Sequence, residues 1–224
     1  MSPTQPSKDD GASSISLRRK NARRDPSAGY LERRQRLLDA AAEVIKEKGL
    51  EATSVNDIAE RLGADRASVY YYYGSKQEIF LALVRHAVEE VVVVAESIAA
   101  AEESSTVRLK RLLRAALGAY ERHYPIMFLY IQEDMRRVPG DGTKAGAELQ
   151  ELGRRYEAAL GKITRDGVNT GEFREDLDDS LLKFAILGAM NWTHRWFTPG
   201  GRLTGAEVGD AFADSFIQGV RRSR

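Results

Sequence analysis

Apolar residues recur along most of this chain at spacings of three and four, which predicts helices that each bury one face. In residues 33–49, Leu37, Ala41, Val44 and Ile45 form a single stripe, and Gly49 supplies the stop. Ser54 and Asp57 then stand at capping-box spacing, so a second helix starts at Val55 and carries Val55, Ile58, Ala59 and Leu62 on one face before Gly63 closes it. A turn over 63–65 leads to Asp65, an N-cap for a third helix over 66–73 with Val69 and Tyr73 inward. Arg66, Ala67, Ser68, Tyr70 and Tyr71 face outward. Ala59 is small enough to let the two short helices approach, as so short a turn requires. The pair is a helix-turn-helix. Ser75 and Glu78 repeat the capping spacing and begin a long helix over 75–101, some 40 Å at about 1.5 Å per residue. Its valine run, 91–94, has Ala and Glu flanks and no turn residues, which favours helix over strand. Further helices are expected over 107–123, 125–137, 145–165, 177–197 and 204–221, with breaks at Pro139-Gly140-Asp141-Gly142 and Pro199-Gly200-Gly201. The expected fold class is all-α.

Residues 70–73 are four consecutive tyrosines. An ordinary helical hairpin would use them as core filler, yet successive helical side chains point about 100° apart and one packed face cannot hold all four. At least two rings must turn outward. Beside Arg66 and Ser68, such rings suit contact with thymine methyls, base edges and phosphate oxygens.

The segments R-R-Q-R-L-L-D-A-A-A-E-V-I-K-E-K-G (33–49), A-T-S-V-N-D-I-A-E-R-L-G (52–63) and S-V-Y-Y-Y-Y-G-S-K-Q-E-I-F (68–80) together resemble the TetR family of bacterial transcriptional repressors. The likeness is dense over about a fifth of the chain, in motifs of a length and order that chance seldom produces. It implies that the 66–73 helix enters the major groove, with Arg66, Ala67, Ser68, Tyr70 and Tyr71 facing bases and Ser54, Tyr72 and Lys76 holding phosphates. Two positions depart from the family pattern: Tyr73 replaces a usual Phe, and Asp65 stands where Ser is frequent, bringing a carboxylate near the DNA backbone. The resemblance also implies an all-helical C-terminal domain that pairs with a second copy and holds an inducer. The expected division is a disordered basic arm over 1–30, a helix-turn-helix domain over 31–76, and a ligand-binding and dimerisation domain over 77–224. Pairing in the family uses the last two long helices, here 177–197 and 204–221, and Ala185, Gly188, Ala189, Ala211 and Ala213 are small enough to allow close approach.

Net charge over the 224 residues is only +1, which by itself argues against a nucleic-acid partner. Its distribution answers this. Residues 17–36 hold eight Lys or Arg (Arg18, Arg19, Lys20, Arg23, Arg24, Arg33, Arg34 and Arg36) against the two acids Asp25 and Glu32. The arm reads either as a solvated tail or as a basic arm that neutralises phosphates or enters a minor groove. The chain has no cysteine, so disulfides and thiolate metal sites are excluded. Its longest strongly apolar run, 91–95, falls far short of the roughly 20 residues that span a bilayer. No membrane partner is expected, and the N-terminus lacks an apolar signal region, so a cytoplasmic protein is the expectation.

Catalysis is not expected. His86, His123 and His194 are the only histidines and none pairs with another at metal-ligand spacing, Glu133 and Asp134 are adjacent rather than convergent, and no nucleophile elbow exists. No cofactor and no metal are expected either. In the C-terminal half, I-M-F-L-Y-I-Q-E (126–133) with Met135 reads either as core or as the wall of an apolar pocket, with Met127, Tyr130 and Met135 as candidate ligand contacts. In N-W-T-H-R-W-F-T-P-G-G (191–201), Trp192, Arg195 and Trp196 read either as an interface or as recognition of a ligand bearing phosphate or carboxylate. With G-E-F-R-E-D-L-D (171–178), this stretch is similar to the TetR branch that responds to acyl-CoA thioesters and governs fatty-acid or sterol breakdown. The expectation is a homodimer on a near-palindromic double-stranded DNA operator, released by a small apolar or acyl-CoA-type inducer. Alternatives are an activator or architectural DNA-binding protein without an inducer, and a repressor answering an unrelated lipophilic compound.

Overall fold

The computed structural model describes residues 27–134 and 144–220. Among these residues every regular element is helical, with no β-strand. The helices are α1 (Ala28–Lys48), α2 (Val55–Leu62), α3 (Arg66–Tyr72), α4 (Lys76–Ala100), α5 (Ser105–Arg122), α6 (Ile126–Asp134), α7 (Lys144–Asn169), α8 (Asp179–Trp192) and α9 (Gly205–Val220), with a 3₁₀ turn over Thr193–Arg195. The chain divides into two compact units between Leu83 and Val84, inside α4.

In the first unit, α1 begins at Ala28, five residues before the periodicity predicts. Ser27 caps it by accepting from the Tyr30 amide at 3.2 Å, and Tyr30 is buried. Leu37, Ala41, Val44 and Ile45 are almost wholly buried, as their stripe predicts. For α2 the capping box is complete: the Asp57 amide donates to Ser54 Oγ at 3.2 Å and the Ser54 amide to Asp57 Oδ2 at 2.8 Å. Gly63 closes it in the left-handed region, φ 67°, where a side chain would be strained. Ile58, Ala59, Val69, Tyr73 and Ile79 make the core of this small unit. α3 stops at Tyr72 rather than Tyr73, because Tyr73 turns extended (φ −134°, ψ 133°) and drops its ring into that core.

The second unit is built on α5, α7, α8 and α9 with the later turns of α4. Leu109, Leu112, Leu113, Leu160, Ile163, Phe173 and Ile186 are its most deeply buried large side chains. Gly205, Gly209 and Ala213, spaced by four, put one face of α9 against α5. A Cβ at Gly209 would lie 2.5 Å from the Leu113 carbonyl oxygen, so the helices approach at backbone contact. Ala213 is therefore fully covered within its own chain, which corrects its expected use in pairing with a second copy. Glu172 caps α5 from a distant loop by accepting from the Ser105 amide at 2.9 Å and the Thr106 amide at 3.0 Å. Beside it the buried Arg108 donates to the Ala99 carbonyl at 3.0 Å, Ser105 Oγ at 3.0 Å and Asp166 Oδ2 at 2.9 Å. The helix expected over 177–197 ends at Trp192, where the Thr193 hydroxyl donates back to the Ala189 carbonyl at 3.1 Å and the backbone tightens into the 3₁₀ turn.

Candidate nucleic-acid interface

Asp65 fixes where α3 begins. Its carboxylate accepts from the Ser68 amide at 2.6 Å, and that bond holds its pKa below the usual carboxylate range, so the cap stays charged at neutral pH. Val69 is wholly buried and anchors the helix to the core. Arg66 and Ala67 are exposed and Ser68, Tyr70 and Tyr71 are half-buried, so all five stay at least partly accessible around the covered Val69. Arg66 is not a loose side chain. Its Nη2 donates to the Tyr70 hydroxyl at 2.9 Å, and its guanidinium carbon stands 5.2 Å from the centre of the Tyr70 ring.

The four tyrosines divide in two. Tyr70 and Tyr71 contribute to the outer side of α3, whereas Tyr72 and Tyr73 are buried, at 9% and 2% exposure. Tyr72 packs its ring 5.0 Å from Tyr30 and 5.1 Å from Tyr71, and Tyr30 lies 6.1 Å from Tyr71. Of the three side chains implied as phosphate contacts, only Ser54 is exposed, and its hydroxyl also donates to Asp57 Oδ2 at 2.6 Å. Tyr72 is held in the aromatic cluster. The Lys76 ammonium donates to the Leu50 carbonyl at 2.8 Å and the Glu51 carbonyl at 3.2 Å, tying the start of α4 to the turn after α1. Tyr30 escaped the sequence reading. Its signal was a lone aromatic at the edge of a polar, basic segment. The basic residues of the arm itself, Arg18 to Arg24, lie outside the described residues.

In the second unit the expected ligand contacts are dispersed. Met127 packs with Tyr120, Phe197 and Val208 in an apolar cluster, and Tyr130 is half-buried. Met135 lies outside the described residues. Trp192 and Trp196 are 56% and 52% exposed, and Arg195 stacks over the Trp192 ring at 5.6 Å. A surface cluster results. A cavity of about 70 Å³ opens elsewhere, between α4 and α5, lined by Glu90, Val91, Val94, Leu112, Ala115, Ala116, Ala119 and Arg122. None of the expected ligand residues within the described part of the chain borders it. Glu90 accepts from Arg122 Nη2 at 2.6 Å and lies 2.7 Å from His123 Nε2. Those partners, Arg122 first, hold its pKa below the usual carboxylate range despite partial burial. The missed signal was an acid beside a valine run. Among the described residues no cluster of three His, Asp or Glu could hold a metal ion, and no helix is long and apolar enough to cross a membrane.

The capped pair α2 and α3, packed with α1 and followed by a separate helical unit, is the arrangement of a helix-turn-helix protein. Residues 37–83 match the family described as bacterial regulatory proteins, tetR family, and residues 102–220 match the tetracyclin repressor-like C-terminal domain. The chain belongs to the TetR family of bacterial transcriptional regulators. It is similar to the HTH-type transcriptional repressor KstR2 of Mycobacterium tuberculosis, at 28% identity over 191 residues, 85% of this chain and 94% of that protein. The solved structure of that ketosteroid transcriptional regulator superposes with a TM-score of 0.70 at 27% identity, covering 85% of this chain and 96% of that one. The TetR-family regulator PfmR of Thermus thermophilus superposes at 0.71 with 33% identity over 83% of this chain and 99% of its own. The fatty acid metabolism regulator protein of Bacillus subtilis is 24% identical over 163 residues, 70% of this chain and 79% of that protein.

Proposed function

We propose that the chain is a repressor that binds a near-palindromic DNA operator as a homodimer and is released by a small apolar or acyl-CoA-type inducer. The observation that carries the DNA reading is the outer surface of α3, where Arg66, Ala67, Ser68, Tyr70 and Tyr71 stay wholly or partly exposed around buried Val69. Arginine offers bidentate donors to a guanine edge, and small or aromatic side chains meet thymine methyls.

The pairing reading rests on α8. Leu181, Phe184 and Trp192 are 68%, 55% and 56% exposed, and with Ala185 and Gly188 they form an apolar stripe along one side of the helix. Nothing lies within 4 Å of a Cβ built at Gly188, so its own chain gives no steric reason for a glycine inside a helix. Contiguous exposed apolar surface of this kind suits burial against a second copy.

The inducer reading rests on the cavity and on the names of two relatives, a ketosteroid transcriptional regulator and a fatty acid metabolism regulator protein. At about 70 Å³ the cavity is smaller than the roughly 300–1,000 Å³ of ordinary ligand pockets. An acyl group entering there must part α4 from α5, and the first eight residues of α4, Lys76 to Leu83, belong to the DNA-binding unit. An inducer releases DNA only to the extent that it binds the DNA-free form more tightly. The test is operator release measured by fluorescence anisotropy with a series of acyl-CoAs and with unrelated lipophilic compounds. Release by acyl-CoAs is the expected result, and release by the unrelated compounds alone contradicts the acyl-CoA assignment.

A further inference from the structure

Arg66 and Tyr70 stand one turn apart on α3, the spacing at which helical side chains meet. The guanidinium both donates to the Tyr70 hydroxyl at 2.9 Å and stands over its ring, the guanidinium carbon 5.2 Å from the ring centre. Two contacts on one planar group fix its tilt as well as its position, which a single hydrogen bond would not. The neighbouring acid does not compete for it in this arrangement: the Asp65 carboxylate accepts from the Ser68 amide at 2.6 Å. A guanidinium carries five N–H donors, so giving one to Tyr70 leaves enough for a bidentate contact. The phenol, having accepted a hydrogen bond from Arg66, retains its own O–H to donate.

We infer that Tyr70 is a positioning residue for Arg66, and that the two read a single base pair as one unit, with guanine as the base whose two acceptors match the presented fork. The inference rests on the DNA reading proposed above and goes beyond it, because it removes Tyr70 as an independent reader and assigns its hydroxyl a partner within the protein. An arginine held before the encounter loses little rotamer freedom on binding, so the base preference comes from orientation rather than from charge.

The experiment uses the full-length chain and an operator obtained by selection from random duplexes. Affinities of wild type, Arg66→Ala, Tyr70→Phe and the double variant are measured on the operator, on each singly substituted operator and on random DNA. Tyr70→Phe keeps the ring and removes the acceptor; thermal melting checks that it folds as wild type does. The expected result is that both single variants relax preference at the same base pair, each by about tenfold. Tyr70→Phe loses less affinity on random DNA than on the operator, and the double variant is no less selective than Arg66→Ala. Relaxation at a different base pair, full additivity, or an unchanged preference in Tyr70→Phe overturns the pairing while leaving DNA recognition intact. A wild-type chain that selects no sequence overturns the DNA reading, and this inference with it.

Discussion

Lys76 shows how one side chain serves the fold where the family pattern places a phosphate. Its ammonium reaches the Leu50 and Glu51 carbonyls in the turn after α1, so its charge is satisfied by backbone oxygens of that turn. Lys76→Met is expected to cost about 1 kcal/mol of stability in urea denaturation and to weaken operator and random DNA alike. A loss of DNA affinity at unchanged stability would put the ammonium on phosphate instead. Tyr72 makes a similar point. The family resemblance makes it a phosphate contact, and the packing of Tyr30 from α1 accounts for its burial. Contacts of that kind join residues far apart in the chain, and spacing along one helix carries no trace of them.

At the scale of elements, what was legible was what neighbours decide. Ser54 with Asp57, Gly63, and Asp65 set the ends of α2 and the start of α3 through bonds no longer than one turn, and the sequence placed both within a residue. Other ends were read less well: α1 starts early where Tyr30 finds a partner far along the chain, and α8 stops short where the Thr193 hydroxyl bonds back one turn to the Ala189 carbonyl. The face of α9 was also hidden. Ala211 and Ala213 suggested a partner copy, yet Ala213 is buried within its own chain on the face that Gly205 and Gly209 set against α5, while Ala211 stays exposed. Gly209→Ala, with its Cβ 2.5 Å from the Leu113 carbonyl oxygen and 2.6 Å from the Arg114 Cα, is expected to cost about 1–3 kcal/mol in chemical denaturation. Unchanged stability would mean that α9 does not approach α5 this closely. The α4–α5 cavity was illegible for the same reason, since Glu90 and Arg122 meet only when two helices are set side by side.

For the whole molecule, recognition depends on geometry that no single chain supplies. One α3 offers a seven-residue helix, too small a surface to select a site alone. Two copies joined through the Leu181, Phe184 and Trp192 stripe would instead present a symmetric pair of readers, and protein symmetry would appear as a palindrome in the DNA. The most direct measurement is selection of duplexes from a random pool by the purified full-length chain, followed by native mass spectrometry of the enriched complex and of Phe184→Glu beside it. The account predicts a near-palindromic motif bound by an even number of copies, with half-site centres about 34–36 Å apart or a multiple of that, and a Phe184→Glu protein that is monomeric and unselective. A pool that enriches nothing, or an asymmetric site held by one copy, would contradict it.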